Sequence, residues 1–208
     1  MSSPFTPPEA DQEIAPPSSI ELIWMNHRGA LLGVIAMVVL LLLIVAGVLS
    51  SKHSAKIASE TLLFSSTGEA GWAAVIAKYP RTPAAANAML LLAASLRDGG
   101  RLEESDAIYS RFTETFASSP LAVSGLLGRA SNARLAGKPD LALSVYQQAA
   151  AGFPQSYGAP YALFGEARLL AQQGRSDDVK RILQTLLSQY PASISAQTVG
   201  GSAGSTGN

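Results

Sequence analysis

Residues 79–119, YPRTPAAANAMLLLAASLRDGGRLEESDAIYSRFTETFASS, hold one complete unit of a pattern that recurs along the chain. Tyr79 opens the stretch and Phe116 closes it, and Phe153 and Tyr190 follow at the same step of 37 residues. Three positions after each aromatic stands a hydroxyl residue: Thr82, Ser119, Ser156 and Ser193. The same step links Gly100, Gly137 and Gly174, each followed by a basic residue (Arg101, Lys138, Arg175), and links Trp72, Tyr109, Tyr146 and Leu183. A fixed period of about 20 to 50 residues marks one small unit copied and stacked, each copy covering its neighbour's apolar face.

Each unit reads as a pair of helices. The hydroxyl residue is expected to cap the first helix, with Pro83 and Pro120 at the first helical position, where a missing N–H costs nothing. Met89, Leu92, Ala93 and Leu96 then recur at the three-and-four spacing of a buried helical face, and Gly99 and Gly100 end the helix by permitting a left-handed turn. A second helix begins near Leu102, carries Tyr109 and Phe112 inward and stops at Phe116. The second copy runs from Pro120 through Gly137 to Phe153, and the third from Tyr157 through Gly174 to Tyr190. Small residues in two registers, Ala93, Ala130 and Ala167 and then Ser105, Ala142 and Val179, let the paired helices cross closely. Upstream, Trp72, Val75 and Tyr79 fit the second-helix register, with residues of about 52 to 65 as a divergent partner. The expected fold is all-α: a single N-terminal transmembrane helix followed by an α-solenoid of three to four helix pairs over residues 51–193.

The anchor is read from residues 29–49, which contain no charged or polar side chain. A helix of that length is about 31 Å long, the thickness of a bilayer's hydrocarbon core. A cleaved signal peptide has a shorter apolar stretch close behind a basic start. Here the stretch follows an acidic, proline-rich segment, so an uncleaved anchor over residues 21–50 is expected. Residues 1–20, with Pro4, Pro7, Pro8, Pro16 and Pro17, are expected to form a disordered cytoplasmic tail, and residues 194–208 a flexible Gly/Ser tail. Within the anchor, Gly29 and Gly33 form a GxxxG pair, the spacing that allows a homodimer by close helix approach. No ionisable group lies inside the span, which argues against a channel or a proton path.

Composition narrows the function. The formal net charge of the 208 residues is zero, and no basic cluster supplies the footprint that nucleic acid requires. The absence of cysteine excludes disulfides, thiol catalysis and cysteine metal sites. The two histidines, His27 and His53, flank the apolar span and cannot meet within one helix of that length. Glu103, Glu104 and Asp106 sit at a second-helix start, where acids complement the helix dipole. We therefore expect no enzyme activity, no catalytic or metal-binding residues and no cofactor.

The unit resembles tetratricopeptide repeats, whose second helix opens with Gly, a basic residue, an apolar one and two acids. Gly100-Arg101-Leu102-Glu103-Glu104-Ser105 matches that pattern, Gly174-Arg175-Ser176-Asp177-Asp178-Val179 matches it less closely, and the terminal proline of the repeat stands at Pro80, Pro154 and Pro191. Met89, Leu126 and Leu163 replace the first-helix Trp and Gly-Tyr signature, and Pro139 stands where an aromatic is usual. A short acidic tail, one membrane helix and a C-terminal array are similar to the ancillary SecYEG translocon subunit family, and the 37-residue period resembles repeats of bacterial envelope proteins such as the cell-division coordinator. The resemblance implies a bacterial inner-membrane location with a periplasmic array and protein partners among translocon, chaperone or envelope-assembly components. Lys52 and Lys56 against Arg28 favour the opposite orientation by one charge, and we follow the resemblance.

Stacked helix pairs leave a groove lined by first helices. One register holds Leu90, Leu127 and Phe164, rimmed by Arg97, Arg134 and Arg168 and by Asn87 and Tyr161. These eight residues are the expected partner-binding site. Two readings of the apolar row stay open: it faces the groove, or it packs inside the helix pairs.

Overall fold

A computed structural model of the protein describes residues 19–205. The described residues form nine helices and no strand: α1 (Ser19–Ser65), α2 (Gly68–Lys78), α3 (Pro83–Asp98), α4 (Leu102–Thr115), α5 (Ala122–Leu135), α6 (Pro139–Gly152), α7 (Ala159–Gln172), α8 (Ser176–Gln189) and α9 (Ile194–Ser205). The chain divides into two compact units, Met1–Lys52 and His53–Asn208. The tail expected over residues 1–20 falls outside the described residues except for Ser19 and Ile20, which already belong to α1.

In the first unit, the apolar stretch of α1 leaves its large side chains exposed, from Leu32 through Leu43 to Leu49. It is the one helix among the described residues that is long and apolar enough to cross a membrane. A globular core helix of this composition would be covered, and this one is bare.

In the second unit the helix pairs follow the 37-residue step. Second helices α2, α4, α6 and α8 are closed by Tyr79, Phe116, Phe153 and Tyr190, whose N–H groups bond back to the carbonyls of Val75, Phe112, Ala149 and Leu186. The carbonyl of each of these aromatics then accepts the N–H of the hydroxyl residue three places on, at 3.2, 2.9, 3.0 and 2.9 Å. The aromatic-to-hydroxyl motif is thus one backbone turn made four times. At the other end of each pair, Gly100, Gly137 and Gly174 adopt φ of 76°, 69° and 73°. The N–H of the basic residue after each glycine reaches back to Leu96, Ala133 and Leu170 at 2.8, 2.9 and 3.0 Å, and the glycine N–H bonds Arg97, Arg134 and Ala171. This double closure satisfies carbonyls that a helix end leaves open.

The hydroxyl residues cap less uniformly than expected. Thr82 Oγ1 accepts from Ala85 N at 3.2 Å and Ser193 Oγ from Ala196 N at 3.1 Å. Ser156 instead donates to the Phe153 carbonyl at 2.7 Å, and Ser119 accepts from Leu121 N at 3.2 Å ahead of the helix. In those two copies a second turn intervenes, with Ala122 N on Ser119 O (2.9 Å) and Ala159 N on Ser156 O (3.2 Å). As a result α5 and α7 start at Ala122 and Ala159, and Pro120 precedes its helix while Pro83 begins one.

The segment read as a flexible tail from residue 194 instead contains α9 over Ile194–Ser205, and residues 206–208 lie outside the described part. The physical reason is the 37-residue step itself: Ser193 caps the helix, Ala196 is buried, and Val199 packs with it against the cluster of Leu163, Leu170, Ile182 and Leu186. The Gly/Ser composition hid a further first helix.

Close crossing is visible where Ala93, Ala130 and Ala142 are fully buried and Ser105 donates to the Ala93 carbonyl at 2.7 Å. Successive pairs are locked by a contact that the sequence reading did not identify. Gly128 and Gly165 share one register, and a Cβ on them would lie 2.3 Å from Tyr109 Cζ and 2.6 Å from Tyr146 Cζ. Replacing Gly128 with alanine should therefore destabilise the array by about 1–3 kcal/mol through overpacking. Gly152→Ala, where nothing lies within 4 Å, should be neutral or stabilising. Chemical denaturation of the two variants checks this contrast.

Candidate functional site

Which face is open follows from which helices touch. First helix α3 contacts α5, α5 contacts α7 and α7 contacts α9, whereas the second helices α2, α4, α6 and α8 do not contact one another. The stack therefore bends toward its first helices, and their outward positions line the inner face. From one end of each first helix to the other, that face carries Asn87, Ser124 and Tyr161, then Leu90, Leu127 and Phe164, then Ala94, Ser131 and Arg168, and finally Arg97, Arg134 and Ala171.

All eight expected groove residues lie on α3, α5 and α7. Asn87, Arg134 and Arg168 are exposed, and Tyr161 is 46% exposed. Leu90, Leu127 and Phe164 are half-buried, each leaning on a different core cluster. Neither reading of the apolar row holds alone, since each side chain has one flank on the core and one toward the face. Arg97 pairs with its neighbour Asp98 at 3.2 Å. Tyr157, which the sequence reading did not assign, stands at the rim with its hydroxyl bonded to Ser124.

The charged groups between helix pairs are occupied in holding the stack. Glu69 of α2 bonds Ser95 Oγ at 3.0 Å and pairs with Arg101, and Asp106 of α4 meets Arg129 of α5 at 3.3 Å. The Arg101 guanidinium holds the Glu69 carboxyl below its ordinary range. Arg181 and Arg175 do the same to Asp178. Groups with lowered folded-state values contribute stability above their unfolded values, and that contribution is lost as pH falls through the folded ones. The contribution of these two carboxylates should thus be constant from neutral pH down to about 4.5 for Glu69 and 3.8 for Asp178, their ordinary values, and be lost below, as followed by denaturation monitored by circular dichroism.

Between α4 and α5 lies a polar seam. Asn132 is 2% exposed, and its Nδ2 donates to Ser105 Oγ at 2.8 Å and to the Leu102 carbonyl at 3.5 Å, while its Oδ1 has no partner. The acids Glu103, Glu104 and Asp106 line a cleft of about 510 Å³ beside this seam. Asp106 faces Arg129, and no group of three or more His, Cys, Asp or Glu among the described residues is placed to hold a metal ion. Ser105→Ala removes the best acceptor of Asn132 and should cost about 1–3 kcal/mol, measurable by denaturant unfolding.

The architecture is that of a helix-pair solenoid. Residues 133–199 and residues 87–119 match tetratricopeptide repeat families. The chain thus carries tetratricopeptide repeats, which serve as scaffolds for protein–protein interaction. A comparison with curated proteins finds no match.

Proposed function

We propose that this protein is a membrane-anchored, non-enzymatic adaptor whose repeat array binds segments of other proteins along its first-helix face. The observation that carries this reading is the contact pattern, in which first helices close on one another and leave Leu127, Phe164 and Tyr161 half-covered beside exposed arginines. A partner's apolar side chains there gain from removing surface from water, and the half-buried row already has fixed positions to receive them. The bare apolar part of α1 supports anchoring in the bilayer through residues 29–49. In this reading the protein resides in a bacterial inner membrane with the array on the periplasmic side, where translocon or chaperone components are its partners. Leu127→Asp with Phe164→Asp places two charges on the face and should abolish co-purification of crosslinked partners while the helical circular dichroism persists. Undiminished capture would contradict the proposal. An alkaline phosphatase fused after residue 193 should be active; an inactive fusion would reverse the orientation.

A second reading has its own observation. A Cβ at Gly29 or Gly33 would meet nothing within 4 Å, so both glycines leave a shallow, open strip on α1. Such a strip fits a second copy of the same helix, and the protein would then organise an envelope or division complex as a dimer. Gly33→Leu should lower the dimer fraction in detergent on that reading and leave it unchanged on the first.

A further inference from the structure

We propose that the segment bound on the first-helix face is an extended, polyproline-like chain with an acidic side chain at every third residue and apolar side chains on the adjacent edge. This rests on the preceding reading of that face as a partner-binding groove.

Charge comes first. The first helices α3, α5 and α7 carry Arg97, Arg129, Arg134 and Arg168 against Asp98 and Glu166. Arg129 is taken by Asp106, and Glu166 is buried with its Oε1 accepting from Gln147 Nε2 at 3.0 Å. The open face is left with three arginines and one acid. Arg97 shares its guanidinium with Asp98, while Arg134 and Arg168 make no ion pair among the described residues. The second helices α4, α6 and α8 lean the other way, exposing Glu103, Glu104, Glu114, Asp140 and Asp177 against Arg111, Lys180 and Arg181. An acidic segment is therefore drawn to the first-helix face, where basic groups outnumber acids. Guanidinium groups suit this task because they grip carboxylates in a fixed two-pronged geometry.

Spacing then selects the conformation. Arg97 and Arg134 occupy the same register on neighbouring helices, and helices in contact lie about 8–10 Å apart. A polyproline helix returns to the same face every three residues, or about 9.3 Å. A β-strand returns every two, about 6.6 Å, and falls out of step with the ladder. The apolar row Leu90, Leu127 and Phe164 lies seven positions before Arg97, Arg134 and Ala171, which is about 10.5 Å along the helices. Between the rows sit Ala94 and Ser131, whose small side chains leave a floor for one extended backbone on α3 and α5, while on α7 Arg168 stands in that register, one turn before Ala171. A bound chain with one edge on the apolar row and the next on Arg97 and Arg134 meets both rows on α3 and α5, and on α7 it meets Arg168 one helical turn nearer the apolar row.

The test uses the full chain in nanodiscs of zwitterionic lipid and fluorescent peptides of about nine residues, three polyproline turns. One peptide repeats Leu-Pro-Glu, a second replaces Glu by Gln, and a third has the first peptide's composition with the glutamates in one block. We expect the first to bind at least about tenfold more tightly than the other two, and Arg134→Gln with Arg168→Gln to remove that advantage. Both substituted residues are exposed, so helical content should be unchanged. Equal binding of the Glu and Gln peptides would overturn charge recognition while leaving the groove intact. Equal binding of the block peptide would overturn the three-residue spacing. Loss of all three peptides, with Leu127→Asp and Phe164→Asp changing nothing in crosslinking, would remove the groove reading itself. Vesicles of anionic lipid retained through Arg134 and Arg168, with no peptide bound, would assign the arginines to a membrane surface and defeat the proposal.

Discussion

The array depends on a backbone constraint: at one end of each helix pair a residue must enter the left-handed region so that the second helix folds back on the first. Gly100, Gly137 and Gly174 do this at the same φ within a few degrees, and the N–H of the following Arg or Lys closes the turn onto the helix just left. A side chain at these positions would strain the turn and splay the pair. Without the pairing, Ala93 and Ser105 could not cross at full burial, and first helices would not stand side by side. The candidate binding face is thus a consequence of the turns, although none of the glycines belongs to it.

At the opposite end the aromatic C-caps have two tasks. Their backbone closes the second helix and opens the next turn, and a side chain can bridge copies, as where Tyr190 Oη donates to the Pro154 carbonyl at 2.7 Å. Between copies, the rings of Tyr109 and Tyr146 settle on the bare backbones of Gly128 and Gly165. These contacts set the approach of adjacent pairs. Their repetition gives the first-helix face an even step.

Much of this was legible in the residues. The period, the left-handed glycines and the small-residue crossings all concern a backbone with few alternatives, and each position recurs three or four times. The start of α5 and α7 was less legible, because Ser119 and Ser156 have the composition of caps but are used in an extra turn. Gly128 and Gly165 left a signal that went unused: a glycine inside a helix costs about 1 kcal/mol, so its recurrence at the repeat step points to a close approach. Helix α9 was concealed by Gly and Ser, and the Ser193 cap, the burial of Ala196 and the partly buried Val199 packed beside it show why it forms. For the face itself, the sequence placed eight residues on three first helices. It could not tell whether Leu127 and Phe164 are inside or outside, since side chains at that angle touch both the core and the face.

On the proposed function, partners are held by first helices and not by second ones. A photocrosslinking amino acid placed singly at Leu90, Leu127 and Phe164, and in parallel at exposed second-helix positions Glu104, Arg111 and Gln148, tests it directly in cells. Protein adducts are expected from the three first-helix sites and none from the second-helix sites. Adducts concentrated on Glu104, Arg111 and Gln148 would contradict it.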